Sequence, residues 1–264
     1  MTLLRREVDE ENKIHNYITA SKKFHSDFIF NELSSNQAIE LSKNFAYAMT
    51  FGGQGHHRAV RGGGNHIRMN GEIFLNTFNG KLGEFAVYEY ITRLGYEVTD
   101  VDLNIAGEGI WDNGDFIVEG VNISVKTIKD YSQLLLLEST DWNQDGQYIP
   151  DLNNPEANQV DLHILVKLKG NIDLEKDLKR KRKFYSELTL EEINELLKTY
   201  QVNANVVGFA TTEMLQEAIR DEQLVYQNEF LGKSTLIQAN NYYIQAGDLL
   251  PMAQLAELLA ERIR

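Results

Sequence analysis

Cysteine is absent from the 264 residues, which excludes disulfide bonds, zinc sites built on thiolates and cysteine nucleophiles. No apolar run comes near the roughly 20 residues that a membrane-spanning helix needs, so no membrane partner is expected. The first residues, MTLLRREVDEEN, turn acidic at once and lack the apolar core of a signal peptide. No Walker-type loop or dinucleotide fingerprint occurs in a strand–loop–helix context, so no nucleotide cofactor is expected either. The expected location is the cytoplasm.

Acidic residues are missing from one window of an otherwise acidic chain. The net charge is −13, yet the sequence between Glu40 and Glu72 contains no Asp or Glu. An isolated positive segment can be an incidental loop, or it can mark contact with nucleic acid. We favour the second interpretation, because arginine and asparagine are the side chains that read guanine and adenine edges. The predicted DNA-contacting residues are Arg58, Arg61, His66, Arg68 and Asn70.

Hydrophobic periodicity divides the chain into helices and strands. Helices are expected over 1–50, 81–95, within 171–200, from 212 onward and over 249–263, with a capping box formed by Thr189 and Glu192. Strands are expected over 115–118, 121–127, 161–169, 206–211 and 242–244, and 96–98 begins a strand or an approach to one. Glycine-rich 52–71 and polar 138–159 are expected to be loops. This order predicts an α/β fold in which helices flank a mixed β-sheet.

The segment DFIVEGVNISVKT (115–127) carries the residues that suggest chemistry. Two β-type runs meet at Glu119-Gly120, which is a hairpin signal. Because side chains alternate along a strand, Asn122, Ser124 and Lys126 are expected on one face. The turn folds Asp115 back beside that strand. A carboxylate and a lysine at the edge of a sheet suit metal-assisted hydrolysis of phosphodiester bonds.

The run GDFIVEGVNISVKT resembles the core of the PD-(D/E)xK nucleases, the large group that contains most type II restriction endonucleases. In that family an aspartate at the start of a hairpin is followed by acid–x–Lys on the next strand. Asp115 matches the first acid and Lys126 the lysine, while the helix GKLGEFAVYEYITRLG carries Glu84 near its start. The resemblance implies that Asp115 binds Mg²⁺, that Lys126 is the catalytic lysine and that Glu84 is an auxiliary metal ligand.

The resemblance covers roughly residues 80–170 and implies a single nuclease domain with a restriction-endonuclease-like core. Within it, 1–79 would be a helical N-terminal region with a basic DNA-contact loop. Residues 80–170 would be the catalytic core, 171–200 a charged helical insertion and 201–264 the C-terminal part of the core.

Two positions depart from the family pattern. Gly114 stands where the family has proline, and Ser124 stands where the second acid is expected. Some restriction enzymes resemble this variant and supply the missing acid from a later position. Glu138 is the candidate for that relocated metal ligand, and Asp112 and Glu108 are weaker ones.

The expected function is therefore Mg²⁺-dependent cleavage of double-stranded DNA by a homodimeric, site-specific type II restriction endonuclease. The alternatives are a structure-selective or repair nuclease of the same fold, and a DNA-binding relative that has lost catalysis through Ser124.

Overall fold

A computed structural model describes residues 1–20, 30, 32–52, 68, 70–104, 114–152 and 159–262. Its helices are α1 (Glu32–Thr50), α2 (Asn70–Arg93), α3 (Leu174–Arg180), α4 (Leu190–Leu197), α5 (Thr212–Arg220) and α6 (Ala253–Arg262). Its strands are β1 (Arg5–Val8), β2 (Ile14–Tyr17), β3 (Phe116–Val118), β4 (Val121–Lys129), β5 (Leu134–Glu138), β6 (Leu162–Gly170), β7 (Val202–Thr211), β8 (Leu224–Val225), β9 (Phe230–Leu231), β10 (Thr235–Leu236) and β11 (Asn241–Gln245). The predicted α/β class with mixed sheets flanked by helices is confirmed.

The predicted hairpin is present as β3 and β4, which pair antiparallel with Phe116 opposite Ile123 and Val118 opposite Val121. Its turn places Glu119 at φ +49° and Gly120 at φ +76°. Two positive φ angles are what the tight turn of a two-residue hairpin requires, since their twist matches that of the strands. Glu119-Gly120 therefore fixes the register of the hairpin.

The hairpin belongs to a four-stranded sheet of order β3-β4-β6-β7. β4 and β6 run parallel, whereas β6 and β7 run antiparallel. The first seven residues of β6 (LHILVKL) are all buried, as expected of a strand that is covered on both faces. The predicted strands at 161–169 and 206–211 are confirmed, although β7 begins four residues earlier, at Val202.

One face of this sheet is covered by α2. Phe74, Phe78 and Leu82 recur at helical spacing, are completely buried and belong to the same core cluster as Ile123 of β4. Gly83 allows a close approach, because a Cβ at that position would lie 2.0 Å from the Thr127 hydroxyl oxygen. α1 packs against α2 from the other side. Consequently α2 is buried around most of its circumference.

The opposite face of the sheet is covered by a second layer, which contains α5 and a three-stranded sheet of order β5-β11-β8. Leu165 of β6 and Ala210 of β7 pack there against Leu135 of β5 and Ile244 of β11. The residues of β4 that point toward this layer are the even-numbered ones, which include Ser124 and Lys126. The strand predicted at 242–244 is the middle of β11.

The N-terminal prediction is wrong in part. Residues 5–8 and 14–17 form the hairpin β1–β2, not a helix, and β2 pairs parallel with β9 in a sheet of order β1-β2-β9-β10. The exposed strand β1 (RREV) has no helical apolar stripe, so its strand state comes from pairing with β2. Only 32–50 is helical in the part of 1–50 that the structure describes.

Three further predicted boundaries differ from the structure. α2 begins at Asn70, eleven residues before the predicted start, because its first turns pack into the core through Phe74 and Leu75. Residues 96–98 form no strand. α6 begins at Ala253, after Pro251, whose ring disfavours a helical conformation at the residue before it.

In the region 171–200 the expected helices are α3 and α4, and the Thr189–Glu192 capping box is present. No helix in the described part of the chain is long and apolar enough to cross a membrane.

Candidate active site

Asp115 stands directly before β3, and its carboxylate reaches across to β4. Its backbone N–H donates to the Ile123 carbonyl at 2.8 Å. Its Oδ2 accepts a hydrogen bond of 2.5 Å from the Val125 N–H. The other carboxylate oxygen accepts no hydrogen bond from the residues that the structure describes. Asp115 is therefore held against the strand between Ser124 and Lys126, with one oxygen available.

Gly114 permits this arrangement. Its φ is +101°, a conformation that residues with a side chain rarely adopt, and a Cβ there would lie 2.1 Å from the Asn122 side-chain oxygen. The position where the resembled family has proline is thus occupied by the residue that the local backbone requires.

Ser124 and Lys126 lie on the same face of β4, as predicted. Ser124 is opposite His163 on β6, and Lys126 is opposite Leu165. Ser124 is buried with 6% exposure, whereas Lys126 is half-buried. Within the described residues Lys126 forms no ion pair, either with Asp115 or with another carboxylate. The hairpin therefore brings Asp115 to the backbone next to Lys126 without pairing the two charges.

A cleft of about 580 Å³ lies between α2 and the carboxyl ends of the parallel strands β4 and β6. Lys126 is among the residues that line it, although its side chain is on the face of β4 turned away from α2. The carboxyl edge of parallel strands is a common location for ligand sites in α/β proteins. Arg68, one of the predicted DNA-contacting residues, also lines this cleft. Asn70 is the first residue of α2, with φ +28°. Arg58, Arg61 and His66 lie outside the described residues, as do the minor candidates Glu108 and Asp112.

Glu84 is on α2 as predicted, but its carboxylate is engaged within the helix. The Lys81 Nζ donates to Glu84 Oε2 at 2.7 Å, and both side chains are buried. The same ammonium lies 4.8 Å from the centre of the Phe45 ring on α1. Glu84 therefore contributes to the packing of α2. A metal ion bound by the Glu84 carboxylate would have to share that carboxylate with the Lys81 ammonium.

Glu138 is the last residue of β5 and is opposite Asn241 of β11. β5 belongs to the layer that covers the Ser124 and Lys126 face of the central sheet. Along β5, Leu135 packs on the central sheet, whereas Leu134 and Leu136 pack on the opposite side with Leu4 and Tyr243. Glu138 shares the face of Leu134 and Leu136, so alternation turns its side chain away from the Ser124 and Lys126 face.

His163 is a residue of this site that the sequence analysis missed. It is 1% exposed, and neither ring nitrogen has a hydrogen-bond partner among the described residues. Burial, and to a lesser extent the charge of Lys126, lower its pKa from 6.5 to about 3. Its ring meets the edge of Trp142, with centroids 5.1 Å apart. The only sequence signal was a histidine inside a buried strand pattern, DLHILVKL.

The charged helical region 171–200 contains a run of basic residues near 176–183, and this run is largely neutralised by its neighbours. Lys179 pairs with Glu175, Lys181 with Asp177, and Lys183 with Glu192. Ion pairs of this kind are typical of a solvated helical face.

No three histidine, aspartate or glutamate side chains in the described ranges are close enough to hold a metal ion together. Mg²⁺, however, is commonly bound by one or two carboxylates and completes its shell with waters and substrate phosphate oxygens. The free oxygen of Asp115 fits that role as a single carboxylate ligand. Comparison with family models, with curated proteins and with solved structures gives no significant match for this chain.

Proposed function

We propose that this protein is a Mg²⁺-dependent DNA endonuclease of the restriction-endonuclease type, acting as a cytoplasmic homodimer on double-stranded DNA. The observation that carries the proposal is Lys126, a half-buried lysine on the second strand of the Asp115 hairpin that has no carboxylate partner among the described residues. Partial burial of an unpaired charge is costly, and a bound anion offsets that cost. The phosphate of a DNA strand is such an anion, and it carries the bond to be cut.

The order of elements supports the same function. A helix precedes the hairpin, Asp115 stands at the hairpin's start, Lys126 lies on its second strand, and a parallel strand follows. The PD-(D/E)xK pattern has these parts in this order. Two-fold symmetric duplex targets suit a homodimer in which each subunit cuts one strand.

In the proposed mechanism, Asp115 would hold Mg²⁺ through the carboxylate oxygen that does not accept from Val125, and the bound ion would supply a water of lowered pKa and polarise the phosphate. The Val125 N–H fixes the orientation of the Asp115 carboxylate before DNA binds. Lys126 binds a phosphate oxygen and orients the attacking water with its ammonium hydrogens. His163 lies on the same face, opposite Ser124, as an uncharged side chain, so it adds no second positive charge beside Lys126.

Plasmid cleavage by the purified full chain tests the proposal. With Mg²⁺ we expect discrete linear fragments, and Lys126→Met should slow cleavage by about 100-fold or more, a typical contribution of a proton-transfer or water-orienting group. Asp115→Asn should be equally impaired, although the amide oxygen keeps the bond to Val125. Lys233→Met, which removes an exposed lysine in the turn between β9 and β10, is the matched control and should cut normally.

Other results would favour the alternatives. A smear of fragments indicates a nuclease without sequence specificity. Binding of DNA in Ca²⁺ without cleavage in Mg²⁺ or Mn²⁺ indicates the non-catalytic relative, consistent with Ser124 in place of the second acid. Equal cleavage by wild type and Lys126→Met refutes the catalytic assignment.

A further inference from the structure

The second half of β4 has no strand beside its outer edge in the part of the chain that the structure describes. β3 pairs only with residues 121–123 of β4, and β6 pairs along the other edge. The burial of β4 changes where β3 ends, because residues 121–124 are buried and residues 125–129 are half-buried. An unpaired strand edge is a template on which another extended chain can pair.

The hydrogen bonds around β4 show which main-chain groups point to this open edge. The Val125 N–H donates outward, to Asp115, whereas the Asn122 carbonyl accepts from the β6 side. Because these directions alternate along a strand, the N–H groups of Thr127 and Lys129 and the carbonyls of Val125 and Thr127 also point outward. None of these four groups has a hydrogen-bond partner among the described residues. A row of two donors and two acceptors matches an extended peptide, which offers both, and not a phosphate backbone, which only accepts.

The α2 face beside this edge suits apolar side chains. The cleft between α2 and β4 has an apolar floor that includes the buried side chains of Leu75, Leu168 and Phe184. The cleft reaches the main chain of β4, since Lys126 and Ile128 line it although their side chains are on the opposite face. Every second side chain of a strand added to the edge would point into this cleft.

The opposite face suits an acidic side chain. Lys126 is half-buried there and has no carboxylate partner among the described residues, whereas Lys129 pairs with Glu175. In an added strand, the residue directly opposite Lys126 is on the same face as Lys126. Opposite charges at such cross-strand positions stabilise a sheet. The arrangement therefore favours a peptide in which an acidic residue stands between two apolar ones.

We propose that the open edge of β4 binds an extended segment of a partner protein with the pattern apolar–acidic–apolar, which joins the central sheet as an additional strand. The acidic side chain pairs with Lys126, and its two apolar neighbours enter the cleft beside α2. This inference goes beyond the proposed function and does not rest on it. Both assignments use Lys126, however, so the segment and a DNA phosphate exclude each other, and such a partner would inhibit cleavage.

Peptide binding to the full chain, without DNA or metal, tests the inference. The probe is Ac-Val-Glu-Val-Glu-Val-NH2, which presents the same pattern in either strand direction, and the comparison peptide is Ac-Val-Gln-Val-Gln-Val-NH2. By isothermal titration calorimetry, the glutamate peptide should bind wild type about 3-fold more tightly than the glutamine peptide, as one cross-strand ion pair predicts. Lys126→Met should abolish this difference. Lys233→Met, in the turn between β9 and β10, is the matched control and should keep it.

Amide hydrogen exchange measured by NMR locates the bound peptide. With saturating glutamate peptide, the amides of Thr127 and Lys129 should exchange at least about 5-fold more slowly, because an added strand accepts hydrogen bonds from them. The Ile128 amide points to β6 and should not change, which makes it an internal control. A peptide held only by the charge of Lys126 does not produce this alternating protection.

Three results would overturn the inference. They are no binding of the glutamate peptide at up to about 2 mM, equal affinity of wild type for both peptides, and unchanged exchange at Thr127 and Lys129. Conversion of a wild-type dimer to monomers by the peptide, seen by analytical ultracentrifugation, would identify a second copy as the occupant and also overturn it. Peptide binding as expected without plasmid cleavage in any metal supports the peptide site and refutes the nuclease function. Cleavage without peptide binding does the reverse.

Discussion

Single side chains at the site combine two tasks, one for the fold and one for the proposed chemistry. The Asp115 carboxylate accepts a hydrogen bond from the Val125 N–H and so continues the hairpin beyond its paired residues. Its second oxygen accepts no hydrogen bond from the described residues and can bind a ligand. Among the residues that the structure describes, Lys126 has no carboxylate partner, while Lys81 and Lys129 are neutralised by carboxylates close to them. A nearby His163 is held neutral by burial. The electrostatic character of the face is thus set by which charges the fold leaves without a partner.

His163 should limit the stability of the protein in acid. Its pKa falls from 6.5 in the unfolded chain to about 3 in the folded one, so only the unfolded chain binds the proton between these values. Stability is therefore intact above pH 6.5 and declines as the pH falls toward 3, by about 5 kcal/mol in total. At pH 5 the loss should be about 2 kcal/mol.

Urea unfolding of wild type and His163→Leu between pH 7 and pH 5 measures this effect. At pH 7 the variant should be at least as stable, because leucine removes two buried ring nitrogens without partners among the described residues. Its advantage should grow as the pH falls. Parallel pH profiles for the two proteins would show that His163 is not the neutral buried group described.

At the scale of elements, the contact between α2 and β4 depends on the absence of a side chain at Gly83. A glycine inside a helix costs about 1 kcal/mol relative to alanine, so its presence needs a reason from packing. The reason is Thr127, whose hydroxyl occupies the place of the missing Cβ. Gly80, one turn earlier, has nothing within 4 Å of its own missing Cβ and provides a comparison on the same helix.

Gly83→Ala should destabilise the protein by about 1–3 kcal/mol, the usual cost of overpacking. In a Thr127→Ala background the same change should cost less than about 1 kcal/mol, because the hydroxyl clash is gone, the helix propensity of alanine stabilises, and only the Cβ of residue 127, 3.2 Å away, stays close. Gly80→Ala should stabilise in both backgrounds. A double-mutant cycle by urea unfolding gives the coupling, and additive effects of the Gly83 and Thr127 changes would rule out the contact.

At the scale of the whole molecule, the N-terminal sheet is tied to the middle layer through Gln245 of β11. This amide is completely buried. Its oxygen accepts from the N–H groups of Thr19 and Ala20 at 2.8 and 2.9 Å, and its nitrogen donates to the Thr2 carbonyl at 2.8 Å. One side chain therefore closes backbone hydrogen bonds between segments more than 200 residues apart in sequence.

Gln245→Leu should lower the free energy of unfolding by about 3 kcal/mol, because two backbone N–H groups and one carbonyl lose their partner while the space stays filled. Gln201→Leu, at an exposed position, is the control and should change stability by less than about 0.5 kcal/mol. Urea denaturation measures both. A loss at Gln245 no larger than at Gln201 would mean that the N-terminal sheet does not depend on this amide.

Local patterns in the sequence were sufficient for several elements and for the hairpin of the site. The Glu119-Gly120 turn, the buried run of β6, the Thr189–Glu192 capping box and the helix after Thr211 each depend on contacts within a few residues. Alternation along β4 likewise placed Ser124 and Lys126 on one face, since the period of a strand is two.

Only the tertiary structure decided the features that depend on residues far apart. Residues 5–8 and 14–17 are strands because they pair within a sheet that also includes β9. β9 lies some 215 residues after its partner β2 in the sequence. The early start of α2, the commitment of Glu84 to Lys81 and the burial of His163 are set by packing between layers. The hairpin's sequence determined which residues stand at the site. Their charge state and the cleft at Lys126 come from long-range burial, which local sequence does not encode.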